Sequence, residues 1–290
     1  MAEFTQFLQV LIAGLTSGSI YALVALGFSL IFAVSGYLNL IQGEFVVIGG
    51  MVTIALTEWL GMPILPAVLL AVLVSALFGL ILQQLTLSPK RRLSPDAALM
   101  VTLGGAFVAR GGAMIIFGKD PLSLPSFSGE RPIAVGEVVI ATQSVWIVAT
   151  LFLCSLGLWW AFSRTFAGKA MLACAQNPNG ARLVGIDLGR VALLAFVVSA
   201  TLGAVAGVVV APLNFVSYDE GLAIGIKGFI AAVFGGLGSY PGAVIGGLVL
   251  GVGESLAAAF ISSQFKDAIA FVGLLVMLVV RPGGLLGRRT

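Results

Sequence analysis

Leu65-Pro66-Ala67-Val68-Leu69-Leu70-Ala71-Val72-Leu73-Val74-Ser75-Ala76-Leu77-Phe78-Gly79-Leu80-Ile81-Leu82 runs for 18 residues without a charge. A helix needs about 20 apolar residues to cross a hydrocarbon core of about 30 Å. A strand of an outer-membrane barrel would instead alternate apolar and polar residues over about 10 positions. The run is continuous, so it reads as a membrane-spanning helix. The rest of the chain agrees: only 9% of its 290 residues are charged and 59% are hydrophobic, with a mean hydropathy of +1.13. A soluble domain carries about 25% charged residues, and disordered chains are poor in apolar ones. Both classes are excluded. The expected fold is all-α, a polytopic membrane helix bundle.

Outward from that run, apolar stretches predict nine spans: Val10–Ser35, Phe45–Leu60, Ile64–Leu87, Ala97–Phe117, Ser144–Phe162, Val191–Ala211, Leu222–Phe234, Gly242–Ile261 and Ala268–Val280. The two shortest, Leu222–Phe234 and Ala268–Val280, leave eight or ten open. Basic residues gather in alternate loops: Lys90, Arg91 and Arg92; Arg164, Lys169, Arg182 and Arg190; Arg281, Arg288 and Arg289. The opposite side holds Lys119, Arg131 and Lys266 with Glu3, Glu58, Asp120, Glu130, Glu137, Asp219, Glu220 and Asp267. Basic loops stay in the cytoplasm, so the C-terminus is expected inside and, with nine spans, the N-terminus outside. The net charge of +3 thus reports topology, and no nucleic-acid partner is expected.

The chain reads as one domain, 1–290, because no linker or charge run divides it. There is no His, which removes the commonest metal ligand and acid–base group. Cys154 falls in a predicted span and Cys174 in a predicted loop, so neither a metal site nor a disulfide is expected, and no catalytic residue is assigned. Met1-Ala2-Glu3 lacks a positive n-region, so no removable signal peptide is expected. Glycines recur four apart at Gly14/Gly18, Gly203/Gly207, Gly238/Gly242/Gly246 and Gly247/Gly251. Small residues at this spacing let helix backbones approach closely in lipid, within one bundle or across a subunit interface.

Two motifs interrupt the apolar pattern. Phe229 to Gly242 contains Gly235, Gly236, Gly238 and Ser239 but no phosphate-loop Gly-Lys-Ser/Thr. It reads as one helix ended by Gly235-Gly236, a tight turn, and a second helix from Gly242. It is either a break at membrane depth, tolerated where protein or a water cavity satisfies the backbone and frequent at transport sites, or an ordinary cytoplasmic hairpin. In Gly36 to Phe45, the polar Asn39, Gln42 and Glu44 separate two apolar runs. They are either a surface loop, or Glu44 starts a helix at its favourable positive end while Asn39 and Gln42 tie backbone groups across a break. Three charges fall within or against spans: Arg110, Lys227 and Glu254. Such charges are costly and face partners or cavities; Glu254 is the deepest, and Arg110 is placed to snorkel toward the outer surface.

The inner segment Gly168 to Ile186 begins with a helix-favouring run, breaks at Asn177-Pro178, and allows a short helix over Asn179–Val184 capped by Gly185. A loop of this size needs no such order, so it reads as a docking element for a cytoplasmic partner.

Taken in order, these motifs resemble the permease subunits of branched-chain amino-acid (Liv-type) ABC importers, over nearly the whole chain. The resemblance rests on Gly18 to Gly27 followed by Gly36-Tyr37-Leu38-Asn39 and Gln42-Gly43-Glu44-Phe45; on Asn177 with Ala181 and Gly185-Ile186; on Ala231 to Ser239 with Gly242-Ala243 and Gly246-Gly247; on Glu254; and on Val280-Arg281-Pro282-Gly283-Gly284-Leu285-Leu286-Gly287. The sequence departs from the family pattern at Ser88 to Arg92 and at Arg110-Gly111-Gly112. The resemblance implies a bacterial inner-membrane permease rather than an enzyme. Its partners would be a second homologous permease, two cytoplasmic ATPases that bind Mg-ATP, and an external binding protein. Asn177, Ala181, Arg182, Gly185 and Ile186 would form the ATPase-coupling element. The cargo would be branched-chain or similar amino acids, with urea, short amides or other small organic solutes as the alternative and an ion-coupled carrier as the more distant one.

Overall fold

The computed structural model describes residues 2–86, 94–129, 131–136, 138–281 and 283–286. The expected basic group Lys90, Arg91 and Arg92, the acids Glu130 and Glu137, and the terminal Arg288 and Arg289 lie outside them. Eleven helices are described: α1 (Ala2–Ser35), α2 (Gln42–Glu58), α3 (Ile64–Thr86), α4 (Pro95–Phe117), α5 (Thr142–Arg164), α6 (Phe166–Gln176), α7 (Pro178–Leu183), α8 (Leu188–Val210), α9 (Glu220–Gly235), α10 (Tyr240–Phe260) and α11 (Lys266–Val280). A small antiparallel hairpin, β1 (Ile133–Val135) and β2 (Val138–Ile140), pairs Ala134 with Val139. It follows α4 and precedes α5, while α6 and α7 follow α5, so the strands and the two short helices mark opposite ends of the bundle.

All nine expected spans are helical, but seven of these helices are long and apolar enough to cross a membrane among the described residues. The seventh is counted from Ser263, through the short 3-10 turn that runs into α11. The two that fall short are α2, with 17 residues, and α9, with 16. Both are largely buried, from Gln42 to Ala55 in α2 and along Gly221, Gly225, Gly228 and Ile230 to Val233 in α9. Lipid faces are instead supplied by α3, α4, α5 and α11, through exposed residues such as Leu69, Ile115, Phe152 and Val279.

Glycine spacing decides how tightly the centre packs. A Cβ on Gly14 would come within 2.8 Å of the Val252 backbone, and one on Gly18 within 2.9 Å of the Gly247 carbonyl. This crossing of α1 on α10 uses two of the four-residue repeats. Gly203 and Gly207 of α8 lie against Phe45 and the Val46 carbonyl of α2. The repeats therefore serve packing within the bundle. They compensate for lipid tails being as apolar as the helix faces.

Candidate functional site

The first candidate region is the interruption between α1 and α2. Gln42 opens α2, and its side chain reaches Gly27 of α1 and Ser199 of α8. Nε2 donates to the Ser199 carbonyl at 3.2 Å, while the Ser199 hydroxyl lies 2.5 Å from Oε1 and 3.0 Å from the Gly27 carbonyl. Gly27 precedes the end of α1 by eight residues, about 12 Å at 1.5 Å per residue. The chain thus leaves α1, turns back through Gly36 to Ile41, and restarts as α2 inside the bundle. The Leu40 N–H donates to Thr102 of α4 at 3.2 Å. Asn39, 1% exposed, was expected to tie the break as Gln42 does, but neither amide atom meets a partner among the described residues.

Glu44 sits in the first turn of α2 and is 2% exposed. A Cβ on Gly221, in the first turn of α9, would come within 2.5 Å of its carboxyl. Gly43 likewise abuts Gly221 and Gly225. Two helix N-termini therefore meet at one carboxylate, and each carries partial positive charge. Arg110 completes the arrangement, its Nη2 lying 3.1 Å from Glu44 Oε1. Arg110 does not snorkel away as expected: a buried carboxylate is the stronger attraction. Near Arg110, in the loop before α9, the Ser217 hydroxyl is the first cause holding the Asp219 carboxyl below its usual range, with the Arg110 charge a smaller one.

The second region is the Glu254 cluster. Tyr21 Oη donates to Glu254 Oε2 at 2.8 Å, and Lys227 Nζ lies 3.1 Å from the same oxygen. Lys227 also pairs with Asp267 at 2.8 Å, and Lys266 approaches Glu254 at 3.7 Å. Four elements, α1, α9, α10 and α11, are joined through one side chain of no exposure. Lys227 stands at the middle of α9. Neither set of pairings was predicted. The partners are 66 residues apart for Glu44 and Arg110 and 233 for Tyr21 and Glu254, and no local pattern announces them.

The third region is the end that carries α6 and α7. The Asn177 side chain accepts from Gly180 N–H at 2.9 Å, Pro178 occupies the first turn, and Gly185, at φ +85°, ends the helix. Ile186 N–H donates to Ala181 and Gly185 N–H to Arg182, both at 3.0 Å. This double closure is the Schellman arrangement, so all five residues expected to form the docking element take part in one capped turn. Leu183 and Val184 on it are 90% and 76% exposed. Cys174, expected in a loop, is buried on α6. The Gly-rich stretch lies at this end as well. Gly235 closes α9, Gly236 and Gly238 turn the chain at positive φ, and Ser239 caps α10 by accepting from Gly242 N–H at 3.2 Å. It forms a hairpin turn; the interruptions inside the bundle are at the starts of α2 and α9. A cavity of about 800 Å³ separates the hairpin from α7, lined by Phe32, Arg182, Ser239, Tyr240 and Leu286 among others.

The family of the branched-chain amino acid transport system permease component matches residues 10–280. The permease protein LivH of the high-affinity branched-chain amino acid transport system of Salmonella typhimurium is 33% identical over 99% of this chain and 97% of its own length. BraD of Pseudomonas aeruginosa, of the same description, is 33% identical over 99% and 98%. Among solved structures, PsaBC from Streptococcus pneumoniae in complex with Fab superposes with a TM-score of 0.53 at 16% identity, covering 97% of this chain and 96% of that one. That likeness concerns the fold. By the family match and the full-length identity to two permeases, this chain belongs to the branched-chain amino acid transport permease family.

Proposed function

We propose that this chain is the membrane permease of an ATP-driven importer that takes branched-chain or similar amino acids from an external binding protein into the cytoplasm. It pairs with a second homologous permease and with two cytoplasmic ATPases, on which Mg-ATP is bound and hydrolysed. The chain sits in the bacterial inner membrane with the C-terminus cytoplasmic and the N-terminus external. The observation that carries this reading is α7. A six-residue helix capped at both ends by side chain and backbone presents two large apolar residues to solvent, where an unpartnered loop would gain nothing from such order. Asn177, Ala181, Arg182, Gly185 and Ile186 then form the docking element for one ATPase. Cargo passes the helix starts around Asn39, Gln42 and Glu44, with Arg110 holding Glu44. Discontinuous helices whose N-termini meet inside a bundle are a recurring transport-site device. Glu254 is tied to Tyr21 and Lys227 through one carboxylate oxygen, and Lys227 in turn to Asp267; this linkage of helices supports a structural clamp over an ion-coupled carrier.

The test is affinity purification of the tagged chain in mild detergent, followed by reconstitution in vesicles. Recovery of a second permease and two ATPases, with leucine uptake dependent on ATP and binding protein, is the expected result. Uptake of urea or short amides but not leucine would replace the cargo. Recovery of the chain alone, active in flux without ATP, would replace the importer with a carrier.

A further inference from the structure

The end of α9 is closed by the far end of the chain. A helix leaves its last four carbonyls without intrahelical partners; in α9 these belong to Ala232, Val233, Phe234 and Gly235. Gly236 N–H donates to the first two, at 3.0 and 3.1 Å. The other two accept from the C-terminal segment: Leu285 N–H to Phe234 at 2.8 Å, and Leu286 N–H to Gly235 at 3.0 Å. A turn delivers them, closed by Gly284 N–H to the Arg281 carbonyl at 2.8 Å. Gly284 holds φ +74°, and a Cβ there would collide with the Gly236 backbone and stand 2.8 Å from the Val233 carbonyl. Only glycine fits.

The helix that leads into this turn is weakly packed. Ala270 is the buried residue of α11; Lys266 reaches Glu254 of α10 at 3.7 Å, and two further fastenings run to α9. Asp267 pairs with Lys227 at 2.8 Å, and a Cβ on Gly273 would lie 2.9 Å from the Phe234 ring. Between these points remains a cavity of about 210 Å³ lined by Ala223, Ile226, Ile230, Ala270 and Phe271. Thus α11 is pinned to α9 at its first turn, at its midpoint and beyond its C-terminal end, and stands off it between the first two. In turn, α9 touches every candidate region: Glu44 at Gly221, Glu254 at Lys227, and the cavity beside α7 through the hairpin that follows it. Leu286 lines that same cavity.

We propose that Arg281 and residues 283–286 are a clip that makes α9 and α11 move as one body during transport. Movement at the α7 end is then carried along α9 to Lys227 and Glu44. Gly284 and the backbone N–H groups of Leu285 and Leu286 are positioning elements for coupling. This rests on the ATP-driven reading above.

The test uses the co-purified complex in vesicles and compares Leu285→Pro with Leu285→Ala. Proline has no N–H to donate, whereas alanine keeps it. Leu285→Ala is expected to move cargo per ATP as wild type does. Leu285→Pro is expected to keep hydrolysis stimulated by the binding protein while moving at least fivefold less cargo per ATP. Equal cargo per ATP in Leu285→Pro and wild type overturns the clip. Should Leu285→Pro not assemble, hydrogen exchange on the C-terminal peptide of the wild-type complex decides. Slow exchange at Leu285 and Leu286, both at rest and trapped with nucleotide, supports the clip; exchange at the rate of an unstructured peptide in either state overturns it. A wild-type complex without cargo-linked hydrolysis overturns the ATP-driven reading instead, and the exchange measurement still tests the join itself.

Discussion

Removing Arg110 should destabilise the protein more than neutralising Glu44, although both break the same pair. With Arg110→Ala the Glu44 carboxylate, 3% exposed and covered by Gly221, has no route to water. Breaking a buried pair from one side costs about 3–5 kcal/mol. The N-termini of α2 and α9 remain and offset about 1 kcal/mol of that, leaving about 2–4 kcal/mol. Glu44→Gln is milder. The amide keeps an acceptor for the guanidinium, Arg110 is already 23% exposed, and its long stem can carry the charge outward. The loss is then about 1 kcal/mol, the worth of one hydrogen bond. At about 2 °C per kcal/mol for a chain of this size, Arg110→Ala should lower the apparent Tm in detergent by about 4–8 °C and Glu44→Gln by about 2 °C. Arg110→Met combined with Glu44→Gln leaves no buried charge, so it should stay near Glu44→Gln rather than add the two losses. Thermal denaturation followed by size-exclusion fluorescence measures all three. Equal shifts for the single variants, or an additive double variant, would refute the reasoning.

Further outcomes follow from the same contacts. Gly185→Val forces a β-branched residue to φ +85° and opens the closure of α7; insertion should be normal while ATPase stimulation by loaded binding protein falls severalfold, and normal coupled transport would remove the docking role. Glu254→Ala removes the acceptor shared by Tyr21 and Lys227, leaving them each other and Asp267, for a loss of about 2 kcal/mol, whereas Asp267→Asn, at a side chain 70% exposed, should cost under about 1 kcal/mol; melting curves in detergent compare the two, and equal shifts would show Glu254 to be solvated. Gly18→Leu meets the backbones of Gly247 and Leu248 at 2.9 Å, so folded yield in membranes should collapse, while Gly253→Leu, whose position is open, should be recovered at wild-type level.

The helices were legible because lipid imposes one strong rule on sequence: long apolar runs, interrupted where backbone needs polar or flexible residues. That rule placed all nine segments and the capped turn at Asn177 to Ile186, where Asn, Pro and Gly each have a positional meaning. It did not give depth. A run of 16 or 17 residues that begins inside the bundle has the same composition as one that begins at its surface. Only the partners of its first turn tell them apart: Gly27 and Ser199 for Gln42, and Gly43 for Gly221. The expected nine spans became seven long helices and two interior ones for that reason.

The site was harder to read, and the reason differs for each part. Arg110, Lys227 and Glu254 stood out singly, because a charge in an apolar run is expensive wherever it lies, and Glu44 did so as part of the polar break between two runs. Their pairing did not, because it is set by how α2, α4, α9 and α10 are offset along the bundle. Polar Ser199 within apolar α8 was the one local hint that a partner such as Gln42 faces it. The join between α9 and the C-terminal segment had a fainter mark, since its two bonds use backbone groups that every residue carries. The visible part was Gly283-Gly284, and the structural demand falls on Gly284, whose positive φ and contact with Gly236 exclude a side chain. A pair of glycines just beyond the last span is thus a packing instruction, and it indicates where two backbones meet.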